Sequence, residues 1–183
     1  MKQSDKDVEA GRFLSYVLRH QPSAAGIELD ANGWADVEAL LAGCKIAGKN
    51  IDRASLDRIV MENGKQRYAL NEDRTKIRAN QGHSVPVDVE LARREPPDML
   101  YHGTASRFLA SIRSEGILKR SRQHVHLSAD ERTALEVGNR HGQGILLRID
   151  AAAMHRDGHP FYLSANGVWL CDVVPSKYIS TST

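Results

Sequence analysis

The 183-residue sequence predicts an α+β protein built from two lobes. Three observations lead there. The first 80 residues carry apolar positions at helical spacing and then two strand-like runs. The second half alternates strand and helix patterns and ends rich in strands. Between them the chain loosens into Gln81-Gly82-His83-Ser84-Val85-Pro86 and closes on Glu95-Pro96-Pro97, where paired prolines resist both helix and ladder. The expected division is an N-terminal lobe at 1–80, a linker at 81–97 and a second lobe at 98–183.

In the first lobe, residues 5–19 read as a helix with Val8, Leu14, Val17 and Leu18 on its apolar face and Pro22 beyond it as a stop. Ile27–Leu29 reads as a short strand closing on the turn 30–33. Asp36 is placed to cap a helix that carries Val37, Leu40 and Leu41 and ends near Gly43. Asp52 caps the next, with Leu56, Ile59 and Val60 on one side. Asn63-Gly64 breaks that helix, and runs 66–70 and 75–79 read as strands joined by a polar turn at 71–74. The order helix, strand, helix, helix, strand, strand is that of a winged helix. Such modules touch nucleic acid in some proteins and only other proteins in others.

The second lobe starts with a strand at Met99–His102. A helix at 105–115 follows, with Phe108, Leu109 and Ile112 inward and Gly116 at its end. His124–Leu127 reads as a strand, 129–137 as a helix and Gly144–Ile149 as a strand. Phe161–Leu163, Val168–Leu170 and Val173–Ile179 complete a mixed or antiparallel sheet. No internal repeat or low-complexity tract interrupts the chain.

Composition narrows the function classes. Hydrophobic residues make up 41% and charged residues 26%, the balance of a soluble globular protein. No apolar run reaches the roughly 18 residues of a membrane span, and the N-terminal stretch is too polar for a signal peptide. Cys44 and Cys171 show no metal or redox spacing, so a reducing, cytoplasmic setting is expected. The net charge of +2 does not announce a nucleic-acid binder. Basic residues do crowd the ends of apolar segments, among them Arg19, Arg67, Lys76, Arg78, Lys119 and Arg122, but from charge alone scattered surface charge is the preferred reading.

The chain has no Gly-x-Gly-x-x-Gly after a strand, no P-loop and no paired-cysteine zinc signature. His124 and His126 alternate on a strand and share a face, yet no third ligand is near, so a structural or substrate-contacting pair is expected rather than a metal site. Arg19-His20 closes a helix, where a cationic cap is the plainer reading. Arg67 sits opposite the apolar face of its strand, and Arg122 directly precedes the His-Val-His strand. Each of these alone could be ordinary surface.

Seven strings occur in order: LSYVLRHQP (14–22), GKQRYAL (64–70), KIRANQGHS (76–84), YHGT (101–104), RQHVHLS (122–128), VGNRHG (137–142) and NGVWL (166–170). Together, over about residues 12–179, the chain resembles the NAD⁺-dependent tRNA 2′-phosphotransferase family. The resemblance implies a winged-helix, RNA-binding lobe joined to an ADP-ribosyltransferase-like lobe that holds NAD⁺. It also implies two chemical steps. The RNA 2′-phosphate attacks C1″ of the nicotinamide ribose and expels nicotinamide. The 2″-hydroxyl then attacks that phosphorus, releasing 2′-OH RNA and ADP-ribose 1″,2″-cyclic phosphate.

Four residues match the family's catalytic set: Arg19, His20, Arg67 and Arg122. A phosphate monoester carries roughly −1.5 to −2 charges at neutral pH, which calls for cations. Guanidinium forks grip two phosphate oxygens at once and can steady a phosphorane without a metal. His20 can bind phosphate or move a proton. For NAD⁺, the resemblance assigns His102 to the adenosine-side ribose and the Gly103-Thr104 backbone to the nicotinamide. His126 and Val168 take the second and third positions of the superfamily's triad, and Ser128 is a further contact. Many relatives carry glutamate at the third position; a carboxylate there would repel a dianionic nucleophile. Arg78 and His83 are expected to contact RNA, with a role in holding the lobes together as the alternative. Gly144 stands where the resemblance leads one to expect proline.

The expected substrate is RNA with an internal 2′-phosphate, as at a tRNA splice junction. NAD⁺ would be the co-substrate, with no metal, and the chain would act as a monomer. Two rival readings remain. One is an ADP-ribosyltransferase that stops after a single transfer. The other is a winged-helix regulator fused to an NAD⁺ or ADP-ribose sensor.

Overall fold

The computed structural model describes residues 5–62, 64–140 and 142–181. Asn63 of the expected helix break and His141 of the 137–142 string lie outside the described residues. The chain forms two compact units, Met1–Glu90 and Leu91–Thr183, so the stretch read as a linker is shared between them.

In the first unit, helix α1 runs Asp5–Arg19 and buries Leu14, Val17 and Leu18 completely. Val8 is partly exposed instead. The inward position beside it goes to Asp7, which is buried against Arg58 at 2.8 Å. The expected strand at Ile27–Leu29 does not form. The Ile27 N–H is taken by Pro22 O at the end of a 3₁₀ turn, and pairing begins only at β1, Ala35–Asp36.

The Asp36 carboxylate accepts from Ala39 N at 2.8 Å and starts α2, which runs Val37–Ile46, past Gly43. Gly43 is no stop. A Cβ there would lie 1.8 Å from Ala25 O, so glycine lets the 3₁₀ segment pack directly on the helix. Asp52 caps α3, Arg53–Glu62, through Ser55 N. Strands β2 (Tyr68–Leu70) and β3 (Lys76–Ala79) complete an antiparallel sheet in the order β1-β3-β2.

The second unit opens with β4 (Ala92–Arg93) and β5 (Met99–Ala105). A 3₁₀ turn at Ser106–Phe108 precedes α4 (Leu109–Glu115). Phe108 does not point inward as expected. It is exposed, with the Arg107 guanidinium 4.7 Å from its ring centre. Then come β6 (Ile117–Leu118), β7 (Val125–Leu127), α5 (Glu131–Asn139, capped by Asp130) and β8 (Gly144–Asp150). Helix α6 (Ala151–Arg156) is not among the expected elements; Asp150 caps it through Ala153 N. Strands β9 (Tyr162–Leu163), β10 (Trp169–Cys171), β11 (Val173–Val174) and β12 (Ile179–Thr181) follow. The single strand expected at Val173–Ile179 is broken after Val174 by Pro175 and a 3₁₀ turn at Ser176–Tyr178.

All strand pairs are antiparallel, in sheets ordered β4-β9-β10-β7, β11-β6 and β12-β8-β5. Tyr101 and Ser128 bridge β5 to the end of β7 by exchanging two backbone bonds of 2.8 Å. Each unit has its own core, one around Leu14, Leu40, Leu56 and Ile77, the other around Leu100, Leu147, Ile149 and Phe161. Among the described residues no helix is long and apolar enough to cross a membrane.

Candidate active site

In the first unit, Arg19 is the last residue of α1. The chain at 82–85 folds back on it, with Ser84 N and Val85 N both donating to Arg19 O. These main-chain donors satisfy the helix-end carbonyl, so the Arg19 and His20 side chains are not needed as its caps. Gly82, at φ +90°, brings backbone close against the Arg19 side chain. His20 Nδ1 lies 2.9 Å from Ser84 Oγ.

Arg67 directly precedes β2, and its neighbour Tyr68 is the pin. The Tyr68 hydroxyl donates to Gly11 O at 2.6 Å and lies 2.6 Å from Ser15 Oγ, tying β2 to α1. Burial raises the Tyr68 pKa, while Ser15, Arg19 and Arg67 oppose the shift, which places both guanidinium charges within reach of one phenol. Asn80, buried, donates from its amide to Gln66 O at 2.6 Å and from its main chain to Arg67 O at 2.9 Å. Gln66 is left-handed at φ +41°, a conformation that Asn80 holds in place.

Arg78 is anchored within the same unit. Its guanidinium stacks 4.5 Å over the Trp34 ring and reaches Asn32 O and Glu90 Oε2, each at 3.3 Å. His83 is 1% exposed. Burial first, then the charges of Arg19, His20 and Arg78, push its pKa down to about 4. Arg19, His20, Arg78 and His83 are therefore one electrostatic cluster, with Arg67 joined to it through Tyr68.

In the second unit, β5 carries His102, Gly103 and Thr104. His102 Nδ1 lies 3.0 Å from His126 O. A carbonyl only accepts, so Nδ1 carries the proton. Burial, with Arg122 adding to it, lowers the His102 pKa, and the neutral ring then leaves Nε2 as an acceptor. Gly103 and Gly138 let β5 and α5 meet backbone to backbone. A Cβ at Gly103 would fall 1.6 Å from Ala134 O, and one at Gly138 2.9 Å from Thr104 N and O.

His126 pairs with Leu170 across β7 and β10. Ser128 Oγ donates to Asp130 O and accepts from Asp130 N. Val168 is held through its main chain, its N bonded to Ser164 Oγ and its O to Ser164 N, each at 3.0 Å. Arg122 is exposed in the turn before β7, its N donating to Lys119 O.

Reasoning from sequence missed Trp34 and Ser164, neither of which carries a charge or a recognisable spacing, and met Asn80 only as a letter of KIRANQGHS. Ser84 was visible only as the last letter of KIRANQGHS. His124 packs its ring 5.6 Å from Tyr162, and among the described residues no three His, Cys, Asp or Glu side chains gather as metal ligands. Burial pushes the thiols of Cys44 and Cys171 up to about 11 and about 12, so neither is a thiolate at neutral pH.

A family model described as "RNA 2′-phosphotransferase, Tpt1 / KptA family" matches residues 5–173. The chain belongs to this family. A probable RNA 2′-phosphotransferase of Flavobacterium johnsoniae is 54% identical over 168 residues, covering 92% of each chain. Its counterpart from Fusobacterium nucleatum is 54% identical over 176 residues, covering 96% of this chain and 98% of its own. One from Hahella chejuensis is 53% identical over 177 residues, at 96% and 95% coverage. As a member of the RNA 2′-phosphotransferase family, the chain is matched across both compact units.

Proposed function

We propose that this protein is an RNA 2′-phosphotransferase that passes an internal RNA 2′-phosphate to NAD⁺-derived ADP-ribose. The observation that carries the reading is the joint presence of Arg19, His20, Arg67 and Arg122 in a chain matched by the family model from residue 5 to 173. The first unit has the element order of a winged helix and is read as the RNA-binding lobe; the second is read as ADP-ribosyltransferase-like. A tRNA splice junction is the proposed RNA, the cytoplasm the proposed setting and the monomer the working form.

The second unit suits NAD⁺. The neutral His102 offers Nε2 as acceptor for a ribose hydroxyl, and His126 O holds the ring in that tautomer. Gly103, backed by α5, leaves its strand thin beside His102. When bound, NAD⁺ would supply an electrophilic ribose carbon and a neutral leaving group. With valine at 168, no carboxylate at that position opposes an incoming phosphate dianion.

Arg19, Arg67 and Arg122 are assigned to the phosphate oxygens, where fixed guanidinium forks steady charge without reorganising. Ser84 fixes His20 at Nδ1, so proton exchange with the phosphate or the RNA hydroxyl falls to Nε2. Arg78 and the buried His83 are assigned to positioning Arg19 rather than to touching substrate.

The test is incubation of the purified protein with a short RNA bearing one internal 2′-phosphate, with and without NAD⁺ and without added metal. The expected result is NAD⁺-dependent conversion to 2′-OH RNA with ADP-ribose 1″,2″-cyclic phosphate. Accumulation of RNA bearing ADP-ribose would establish a single-transfer enzyme instead. NAD⁺ binding without turnover would establish a sensor.

A further inference from the structure

A cleft of about 270 Å³ in the second unit lies outside every residue assigned above. Its walls are the strand edge at Arg93 and Arg94 and the segment from His155 to Phe161 that ends α6. Within the sheet order β4-β9-β10-β7, it sits at the edge opposite β7, which carries His126. Three strand spacings of roughly 4.8 Å place it about 14 Å away from that strand.

The cleft is both basic and firmly built. Arg93 is paired with Tyr162 in the β4–β9 ladder, and Arg94 N donates to Phe161 O at 3.0 Å. Opposite, α6 is closed by three main-chain bonds: Asp157 N to Ala153 O, Gly158 N to His155 O and His159 N to Met154 O. Gly158, at φ +90°, makes that reversal possible. The same bonds occupy the helix-end carbonyls and weaken, without removing, the negative end of the helix dipole.

Some arginines of the chain are tied to a carboxylate, and those of the cleft are not among them. Arg53, Arg58, Arg74, Arg132 and Arg148 each face a carboxylate within 4.0 Å. Among the described residues Arg93 and Arg94 form no ion pair, although both are exposed on the cleft. Asp157 is engaged by Lys177 and Tyr178, which leaves Glu95 as the carboxylate lining the cleft. Arg93, Arg94, His155 and His159 thus line a space large enough for a phosphate group with its ester linkages, the His159 ring standing edge-on to Tyr178 at 5.6 Å.

We propose that this cleft is a second anchor for the RNA substrate, holding a backbone phosphate some nucleotides from the reacting 2′-phosphate through Arg93, Arg94, His155 and His159. The proposal rests on the 2′-phosphotransferase reading for the identity of the polyanion. Its consequence is length dependence: a dinucleotide would meet only the catalytic arginines, whereas a longer RNA would also reach the cleft.

The experiment compares wild type with Arg93→Gln/Arg94→Gln, using RNAs of 2 and about 20 nucleotides, each with one 2′-phosphate. For the long RNA, the double variant should bind about ten-fold more weakly. The slope of log K against log salt should drop by about 0.7 for each backbone phosphate that is no longer neutralised. Affinity for the dinucleotide and its single-turnover rate should not move, which also establishes that the variant is folded. Arg93→Lys/Arg94→Lys should restore the salt slope, and Glu95→Gln should tighten long-RNA binding.

Equal weakening for both lengths, or none for either, overturns the proposal. A titration with inorganic phosphate separates the other source of the same chemistry. Wild-type saturation by free phosphate, abolished in the double variant and without effect on long-RNA affinity, would make the cleft a small-anion site and overturn the RNA assignment. Failure of the basic reaction with wild type would defeat the 2′-phosphotransferase reading, whereas normal turnover with no length effect would defeat only the anchor.

Discussion

The His102 ring is held by the main chain of its neighbouring strand, Nδ1 standing 3.0 Å from the His126 carbonyl oxygen. Because that bond needs a proton on Nδ1, and burial disfavours a second proton on the ring, Nε2 is left as an acceptor. A carbonyl in a β-ladder is a firmer reference than a side chain, so the tautomer follows from the fold.

His102→Ala should therefore raise KM for NAD⁺ about ten-fold, in line with roughly 1.4 kcal/mol for one lost hydrogen bond. RNA affinity should be unchanged. Separate titrations of NAD⁺ and 2′-phosphorylated RNA measure both quantities. A parallel loss of RNA affinity would assign His102 to general stability of the unit.

Tyr68 stands between Arg19 and Arg67, the two first-unit arginines proposed to hold the phosphate. Tyr68→Phe removes the bond to Gly11 O and leaves that acceptor and Ser15 Oγ short of a partner. The expected cost is about 1–2 kcal/mol in urea unfolding. The turnover rate should fall further than that of a variant with the same stability loss elsewhere in the first core, such as Ile59→Val, because β2 then holds Arg67 less firmly. Equal effects on rate would leave Tyr68 a core residue only.

Much of this was legible in the sequence because the signals are local. Asp36 and Asp52 each cap a helix from three residues away, and such caps are written in adjacent letters. Strands β1, β4 and β6 were not legible, since two residues carry no periodicity, whereas the equally short β9 and β11 lie within longer apolar runs. Gly43 misled because the same residue type ends helices and admits close packing; only the Ala25 carbonyl above it tells which. In the site, charged residues stood out within their strings, while their supports did not. Asn80, Trp34 and Ser164 take their roles from partners distant in sequence or from backbone geometry. Gly144 shows the same limit: its N–H donates to Asn139 Oδ1 at 3.1 Å, a bond that proline could not make.

His83 makes a pH prediction with a definite sign. Its pKa falls from 6.5 to about 4 on folding, so the unfolded chain binds the proton more readily. Stability from the neutral ring is complete above pH 6.5 and is lost as pH falls towards 4, by about 3 kcal/mol in all. Urea unfolding between pH 7 and 4 should show this loss in wild type and a shallower one in His83→Asn. Identical slopes would show that His83 is not the titrating group.

Val168 is held by its own main-chain N and O, bonded to Ser164 Oγ and Ser164 N, so its side chain can be exchanged without releasing the loop. Val168→Glu would place a carboxylate at the position assigned to the superfamily's third triad residue. Repulsion of a dianionic phosphate should then slow RNA-dependent nicotinamide release about ten-fold or more, equivalent to roughly 1.4 kcal/mol in the barrier. Val168→Gln has nearly the same shape without the charge and should lie close to wild type. Raising the salt concentration would screen an exposed pair but leave a buried one largely intact, so the persistence of the defect reports how dry the site is. If Val168→Glu and Val168→Gln slow release equally, bulk rather than charge is the cause, and valine is there for space.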